Sequence, residues 1–483
     1  MTLLTLINTN RMLPPIAPVG LDYIASAVQA AGIQVGWIDL CLAEDAESEL
    51  DRYFASYRPD LVGLTFRNVD DCFLSSCESF VPAFQDDVAA VRRRTDAPIV
   101  LGGVGYSLFP QRLLECSGAD FGVHGDGEQA VIQLLDQISG GRCWELVDGL
   151  LFKRDGHVIA NPPAWPRQIF VSSHRNLVDN ATYFRLGGQI GIETKRGCRR
   201  RCIYCADPVA KGRSYRCRPP SEVADEFAHL LAAGIDVIHL CDAEFNLPVD
   251  HAQQVCDALI ARGLGRAVRW YAYMAVTPLP ASLIRRMRQA GCVGINFTSD
   301  AAHPAMLANY AHAHRRKDLE HAVRMCRQHG IAVMLDMLLG GPGETPETVA
   351  ETIAAFKEID ADCAGAALGL RIYPGTPLAA LVQAHGPLET NPHVRRSGNG
   401  PVDLLQPVFY LSRHLGDQPA RLVRDLIGDD PRFFPPEDPL NRTISSQTGD
   451  HNYSQNSGLL NAIAAGCRGA YWDILRIGGQ SQC

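Results

Sequence analysis

The stretch GCRRRCIYC, residues 197–205, places Cys198, Cys202 and Cys205 in one short loop. A disulfide among them would leave one thiol over, and a structural zinc site closes with four ligands. Three soft ligands with no obvious fourth read as a metal centre with one coordination position left open. Lys195, Arg196, Arg199, Arg200 and Arg201 crowd positive charge around those thiols. A zinc knuckle, or a chance C-x3-C-x2-C match, is the alternative reading of the same residues.

Such a loop needs a scaffold, and two series of alternating strands and helices supply it. In the first 140 residues, strands are predicted at Leu3–Ile7, Gln34–Ile38, Leu61–Thr65, Ile99–Leu101 and Phe121–Val123, with amphipathic segments between them. Alternation of this kind implies a doubly wound parallel sheet, whose ligands bind beyond the carboxyl ends of the strands. Those ends carry NTNR (8–11), FRNVDD (66–71), GGVGYS (102–107) and HGDGE (124–128). A hairpin turning at Asp155-Gly156 follows, and then a proline-rich stretch that reads as a linker. The second series has strands near 189–193, 236–240, 268–273, 293–298, 332–338 and 366–372. Six strand–helix units fit a partial (β/α)6 barrel with its chemistry at the C-terminal strand ends, and the cysteine loop follows the first of these strands. The expected organisation is residues 1–160, linker 161–184, barrel 185–382 and a mostly helical or loop-like C-terminal capping segment, 383–483.

Composition bounds the partners. The chain has 483 residues and a formal net charge of -8, which argues against a nucleic-acid surface. No apolar run is long enough to cross a bilayer, and MTLLTLINTN lacks the character of a signal peptide. Sixteen scattered cysteines in a long chain read as reduced thiols of a cytoplasmic protein.

The cysteine spacing, with Tyr204 before the last thiol, resembles the signature of the radical S-adenosylmethionine superfamily. CDAEFN (241–246), NFTSD (296–300), GGPGET (340–345) and RIYPGTPL (371–378) follow the later strands in that family's order. The preceding α/β domain, with PPIAPVGLDYIASAVQAAG and GDGE, resembles the Rossmann-like cobalamin-binding domain of the B12-dependent subgroup. Within it, TFRNVDDC and RGAYWDILR are similar to the branch of tryptophan 2-C-methyltransferase and its relatives.

The resemblance implies a [4Fe-4S] cluster on Cys198, Cys202 and Cys205, with S-adenosylmethionine on the open iron. Tyr204, Asp242, Glu244, Asn246, Ser299 and Arg371 are the residues it places around S-adenosylmethionine. It implies cobalamin over the first sheet, held by Asn10, Arg67, Asn68, Gly102, Gly103, Val104, Gly105, Tyr106, Gly125, Asp126, Gly127 and Glu128. Tyr273, Asp336 and Arg371 are the candidate catalytic residues; Tyr271 stands beside them, and Tyr453, Tyr471 and Trp472 are candidate wall residues.

No D-x-H-x-x-G motif lies at the first strand tips, so cobalt is expected to lack a histidine ligand. Arg67 either approaches its lower face or pairs with Asp70 or Asp71. The expected activity is a C-methyltransferase that moves a methyl from S-adenosylmethionine, through methylcobalamin, to a carbon of a small molecule. C2 of tryptophan, or a related aromatic or natural-product precursor, is the acceptor implied. Radical cyclisation or ring rearrangement without methyl transfer is the rival. An external electron donor such as a flavodoxin or ferredoxin is implied as well.

Overall fold

The computed structural model describes residues 2–163, 165–169, 175–398, 400–437 and 452–478. The N-terminal sheet is built from β1 (Leu3–Asn8), β2 (Gln34–Asp39), β3 (Leu61–Thr65), β4 (Ile99–Gly102), β5 (Phe121–Val123), β6 (Leu150–Arg154) and β7 (His157–Ala160). Its order is β2-β1-β3-β4-β5-β6-β7. The first five strands run parallel, and β6 and β7 form the antiparallel hairpin read from the sequence, with φ 50° at Asp155 and 79° at Gly156. Strands such as β1, buried at every position but the first, are near-continuous apolar runs because helices cover both faces. The order reverses between β1 and β3, and a crevice opens at such a switch point. Asn8 and Asn10 stand on one side of it and Arg67 on the other.

The second sheet contains β8 (Gly191–Ile192), β11 (Val237–Leu240), β12 (Arg269–Met274), β13 (Cys292–Asp300), β14 (Ala332–Leu339) and β15 (Cys363–Leu368), all parallel. Between β8 and β11, the strands β9 (Lys195–Arg196) and β10 (Arg216–Cys217) pair as an antiparallel ribbon at the base of the cysteine loop. Helices such as Pro220–Ala232, Val249–Ala261 and Pro346–Ile359 pack outside the sheet, and its core is dominated by Ile, Leu, Val and Phe.

The sixth strand lies earlier than the expected 366–372. Gly369 takes φ +86° and ends it. Beyond that break, β16 (Leu370–Arg371) joins β17 (Val394–Arg396) and β18 (Val408–Tyr410) in a separate antiparallel sheet. The C-terminal segment also holds more strand than expected, because β19 (Phe433–Phe434) adds a seventh strand beside β15. The helix Tyr471–Gly478 plugs the barrel from its strand-start end. Trp472 packs with Tyr271, Val237, Met334 and Cys363 there, and Tyr271 Oη donates to Asp473 Oδ2 at 2.7 Å. Tyr271 and Trp472 are therefore parts of the plug.

The stretch expected as a linker is partly structural. It carries the helix Asn180–Arg185, and Arg175 is fully buried against Asp22 (3.0 Å) and Glu226 (3.3 Å). Among the described residues no helix is long and apolar enough to cross a membrane.

Candidate functional site

The cysteine loop is pinned on three sides. Cys198 N donates to Gly212 O (3.1 Å), Ile203 N to Tyr310 O (3.3 Å) and Leu378 N to Ile203 O (2.9 Å). Gly197 has φ +85°, and a Cβ there would lie 2.1 Å from Ser214 O, so only glycine lets the loop close. Burial pushes the Cys202 thiol up to about 11 and raises Cys198 and Cys205 as well. Metal binding must displace those protons. Among the described residues no His, Cys, Asp or Glu group converges as the ligands of one metal ion would. Thiols that each hold a different iron of a cubane stand farther apart than that.

Beside the thiols runs a polar chain. Arg200 Nη2 lies 3.0 Å from His312 Nδ1. A guanidinium only donates, so Nδ1 is bare and His312 donates through Nε2 to Asp300, which also accepts from Tyr204 Oη. The Tyr204 ring is thereby fixed next to Cys205. Arg200 also stands 3.9 Å from Glu244. Glu244 accepts from Thr298 Oγ1 (2.7 Å), its Oε2 is buried without a partner, and burial raises its carboxyl to about 7. An ammonium group would satisfy that oxygen and restore the charge.

The other acidic and polar positions expected around S-adenosylmethionine are already engaged. Asp242 accepts from Thr194 N (2.8 Å), Thr194 Oγ1 (2.5 Å) and Lys195 Nζ (3.0 Å), and so ties down the strand entering the cysteine loop. Asn246 bridges Ala275 and Pro278, and Ser299 Oγ donates to Asp336 O at 2.6 Å. Arg371 is buried, bound to Asp70 (2.7 Å) and to the carbonyls of Ile372, Leu404 and Val408, and lies over the Tyr373 ring. It is a clasp between the two domains, with four of its five N–H donors committed to them.

With Asp70 taken by Arg371, and Asp71 accepting from Ser76 and Phe73 N, Arg67 has neither of the carboxylates that the sequence offered it. Its guanidinium donates to Asn68 Oδ1 at 3.1 Å. Arg67, Cys72, Cys241 and Tyr273 are all open to solvent. Burial nevertheless pulls Arg67 below its ordinary value, and pushes Tyr273 and Cys72 up to about 12 and Cys241 to about 11. These side chains stand close enough to act on one another electrostatically, accessible yet desolvated. Tyr273 is 49% exposed, and the charge of Asp336 adds to the rise in Tyr273. Tyr471 approaches the same guanidinium from the C-terminal helix.

A cleft enters the first sheet between Leu4, Leu6, Ile24, Val100 and Val131, with Gly102, Gly103, Val104, Gly125, Asp126, Gly127 and Glu128 at its mouth. A Cβ on Gly102 would meet nothing within 4 Å, so its missing side chain is space for a ligand. Gly103 and Gly105 are glycines for another reason, since a Cβ would lie 2.7 Å and 2.8 Å from Phe66 O. Tyr106 is fully buried under the sheet and does not line the cleft. The buried Asn10 Nδ2 at the neighbouring tip has no partner. His124 contacts Val209 O (3.0 Å) and packs edge-on to Trp165, as a loop residue.

Glu193, Arg175, Thr298, Asp300 and His312 were missed as individual positions, and Arg196 was named only as part of the charge around the thiols. The signals available were weak ones: an arginine directly before the Gly-Cys of the loop, and polar residues alternating along strand ends.

Residues 192–356 match the radical SAM superfamily and residues 7–135 the B12 binding domain. The chain is 30% identical to the tryptophan 2-C-methyltransferase of Streptomyces laurentii, over 89% of this chain and 82% of that one. It superposes on the radical S-adenosylmethionine methyltransferase TsrM of Kitasatospora setae, solved with tryptophan and a SAM analogue, with TM-score 0.93 and 31% identity, covering 99% and 98% of the two chains. The anaerobic magnesium-protoporphyrin IX monomethyl ester cyclase of Rubrivivax gelatinosus is more distant, 25% identical over 76% of this chain and 66% of that one.

Proposed function

The chain belongs to the cobalamin-dependent radical S-adenosylmethionine methyltransferases, and from that premise we propose that its acceptor is a carbon of a small aromatic molecule, tryptophan C2 or a close analogue. The observation that carries this reading is the group of Tyr273, Tyr471, Cys72 and Cys241 around the Arg67 guanidinium, accessible yet desolvated and without a carboxylate partner among the described residues. It suits a planar, largely apolar guest with a few polar handles.

Bound together, the [4Fe-4S] cluster, S-adenosylmethionine and cobalamin supply the donor methyl, its cobalt carrier and the means of activation. The protein holds and orients them. Cys198, Cys202 and Cys205 take the cluster, and Tyr204, fixed by Asp300, orders the loop beside it. Glu244 receives the methionine ammonium. Asn10, Gly102, Val104 and Gly125–Glu128 line the corrin side of the cleft, whose apolar depth fits the cofactor's nucleotide tail. Arg67 would stand beside the bound cobalamin with a guanidinium that stays protonated and cannot coordinate metal, and its positive charge would disfavour cationic states of that metal. Beside Arg67 the Tyr273 hydroxyl would orient the acceptor, and the Asp336 carboxylate would receive the proton that the acceptor loses. A flavodoxin or ferredoxin of the cytoplasm supplies electrons.

Anaerobic reconstitution with cobalamin and S-adenosylmethionine, followed by mass spectrometry on tryptophan and other indoles, tests the reading. The expected products are S-adenosylhomocysteine and an indole heavier by one CH2 unit. A rearranged product of unchanged mass would establish the rival chemistry instead.

A further inference from the structure

We propose that Arg196 is a positioning residue that couples occupancy of the cobalamin cleft to the geometry of the cluster loop. The inference rests on the cofactor reading above. Arg196 is buried, although a free arginine belongs in water. Its guanidinium reaches Glu128 through Nη2 (2.7 Å) and Nη1 (3.1 Å), Asp126 through Nη1 (3.2 Å) and Glu193 through Nε (2.7 Å). Asp126 and Glu128 cap and begin the helix that follows β5 of the N-terminal domain and stand at the mouth of the cleft, and Arg196 and Glu193 line the same cleft from the barrel side. A ligand entering there touches both ends of the ion pairs.

The other end of the lever is the cluster loop. Arg196 precedes Gly197, whose backbone passes hard against Ser214, and Cys198 follows. The residue paired with Arg196 across the ribbon is Arg216, which also binds Asp126. One carboxylate at the cobalamin cleft thus anchors both strands from which the cluster loop springs. Lys211, later in that loop, lies 3.6 Å from Glu193 and lines the cleft as well. A displacement of Asp126 when the cleft fills must be shared by both strands, because Arg216 grips it with both terminal nitrogens and Arg196 reaches it through Nη1.

Coupling of this kind is reciprocal, so each cofactor must change the other's binding by the same factor. The test titrates hydroxocobalamin into the full chain with and without its reconstituted cluster, and records the cluster's electron paramagnetic resonance with and without cobalamin. Wild type should bind cobalamin at least threefold tighter with the cluster present, and its cluster signal should shift on loading. Arg196→Lys keeps the charge but not the fork; it should bind both cofactors with the threefold difference and the spectral shift gone. Asp126→Asn should behave alike from the other side of the boundary, and carries the test if the arginine variant does not fold. Equal cobalamin affinity with and without the cluster in wild type, or coupling that survives either substitution, overturns the proposal. Failure of wild type to take up cobalamin or a cluster at all would instead overturn the cofactor reading.

Discussion

Around Tyr23, the boundary between the two domains buries charge in matched sets. Asp22 and Glu226 face Arg175 and Arg218, all four side chains fully inaccessible, and the Tyr23 ring lies among the guanidiniums of Arg175, Arg196 and Arg218. Around Arg67, on the same boundary, a guanidinium stands accessible but desolvated, and among the described residues no carboxylate pairs with it. Its neighbours are phenols and thiols. Burial of charge without a partner is costly, so the first region is finished without a ligand and the second is not. One region serves architecture and the other chemistry.

The sharpest way to break the comparison is to spoil the finished region. Arg175→Ala leaves Asp22 and Glu226 short of a cation, and removing one partner of a buried ion pair costs about 3–5 kcal/mol. Denaturant unfolding should record a loss of that order; a loss under about 1 kcal/mol would show that the seam is not structural.

Next in size is the carboxyl by the cysteine loop. Burial raises Glu244 from 4.5 to about 7, a shift that corresponds to about 3 kcal/mol. Between those values the folded protein holds a proton that the unfolded chain releases, so stability falls as pH rises through the window and levels off above about 7. Glu344, also raised to about 7 by burial, adds to the same slope. Glu244→Gln should flatten the stability–pH curve between pH 4.5 and 7 and weaken S-adenosylmethionine binding at least tenfold, with the cluster retained. An unchanged slope would place the titration elsewhere.

Arg67→Ala should act in the opposite sense to Arg175→Ala. It removes a desolvated charge that no carboxylate compensates, so stability should hold or rise, while methyl transfer slows about a hundredfold, equivalent to about 2.7 kcal/mol. Electron paramagnetic resonance of the Co(II) form of the unmodified protein should show no nitrogen splitting from an axial ligand. Nitrogen splitting there would remove the arginine from its assigned place.

The smallest effect compares two adjacent glycines. Gly103→Ala meets Phe66 O at φ +104° and should cost about 1–2 kcal/mol of stability. Gly102→Ala meets nothing, so it should leave stability alone and weaken cobalamin binding only. If the two variants lose stability equally, Gly102 is not lining for the ligand.

Much of this was legible in the sequence because it is written in local patterns. Strand runs such as Leu61–Thr65, the Asp155-Gly156 turn and the cysteine spacing need only neighbours along the chain. What failed needed distant partners. Asp242 and Glu244 look equivalent in CDAEFN, yet Thr194 and Lys195 consume the first and Thr298 leaves one oxygen of the second unpaired. Arg371 stood at a plausible strand end, but Asp70, some three hundred positions earlier, captures it. The two readings of Arg67 parted on that same capture. The short β19 was invisible because two phenylalanines carry no periodicity.

The burial of Tyr23 among three arginines has a bearing on how such a protein is inherited. Its ring comes from the N-terminal sheet's first helix, and the guanidiniums come from the connecting stretch and the barrel. A B12-binding module that lacks Asp22 and Tyr23 would leave Arg175 short of one carboxylate and Arg218 without the Tyr23 hydroxyl, though Glu226 of the barrel would remain. The two halves look like interchangeable beads on a string, yet recombination between lineages would have to exchange the helix, the connector and the first barrel turns as a single block.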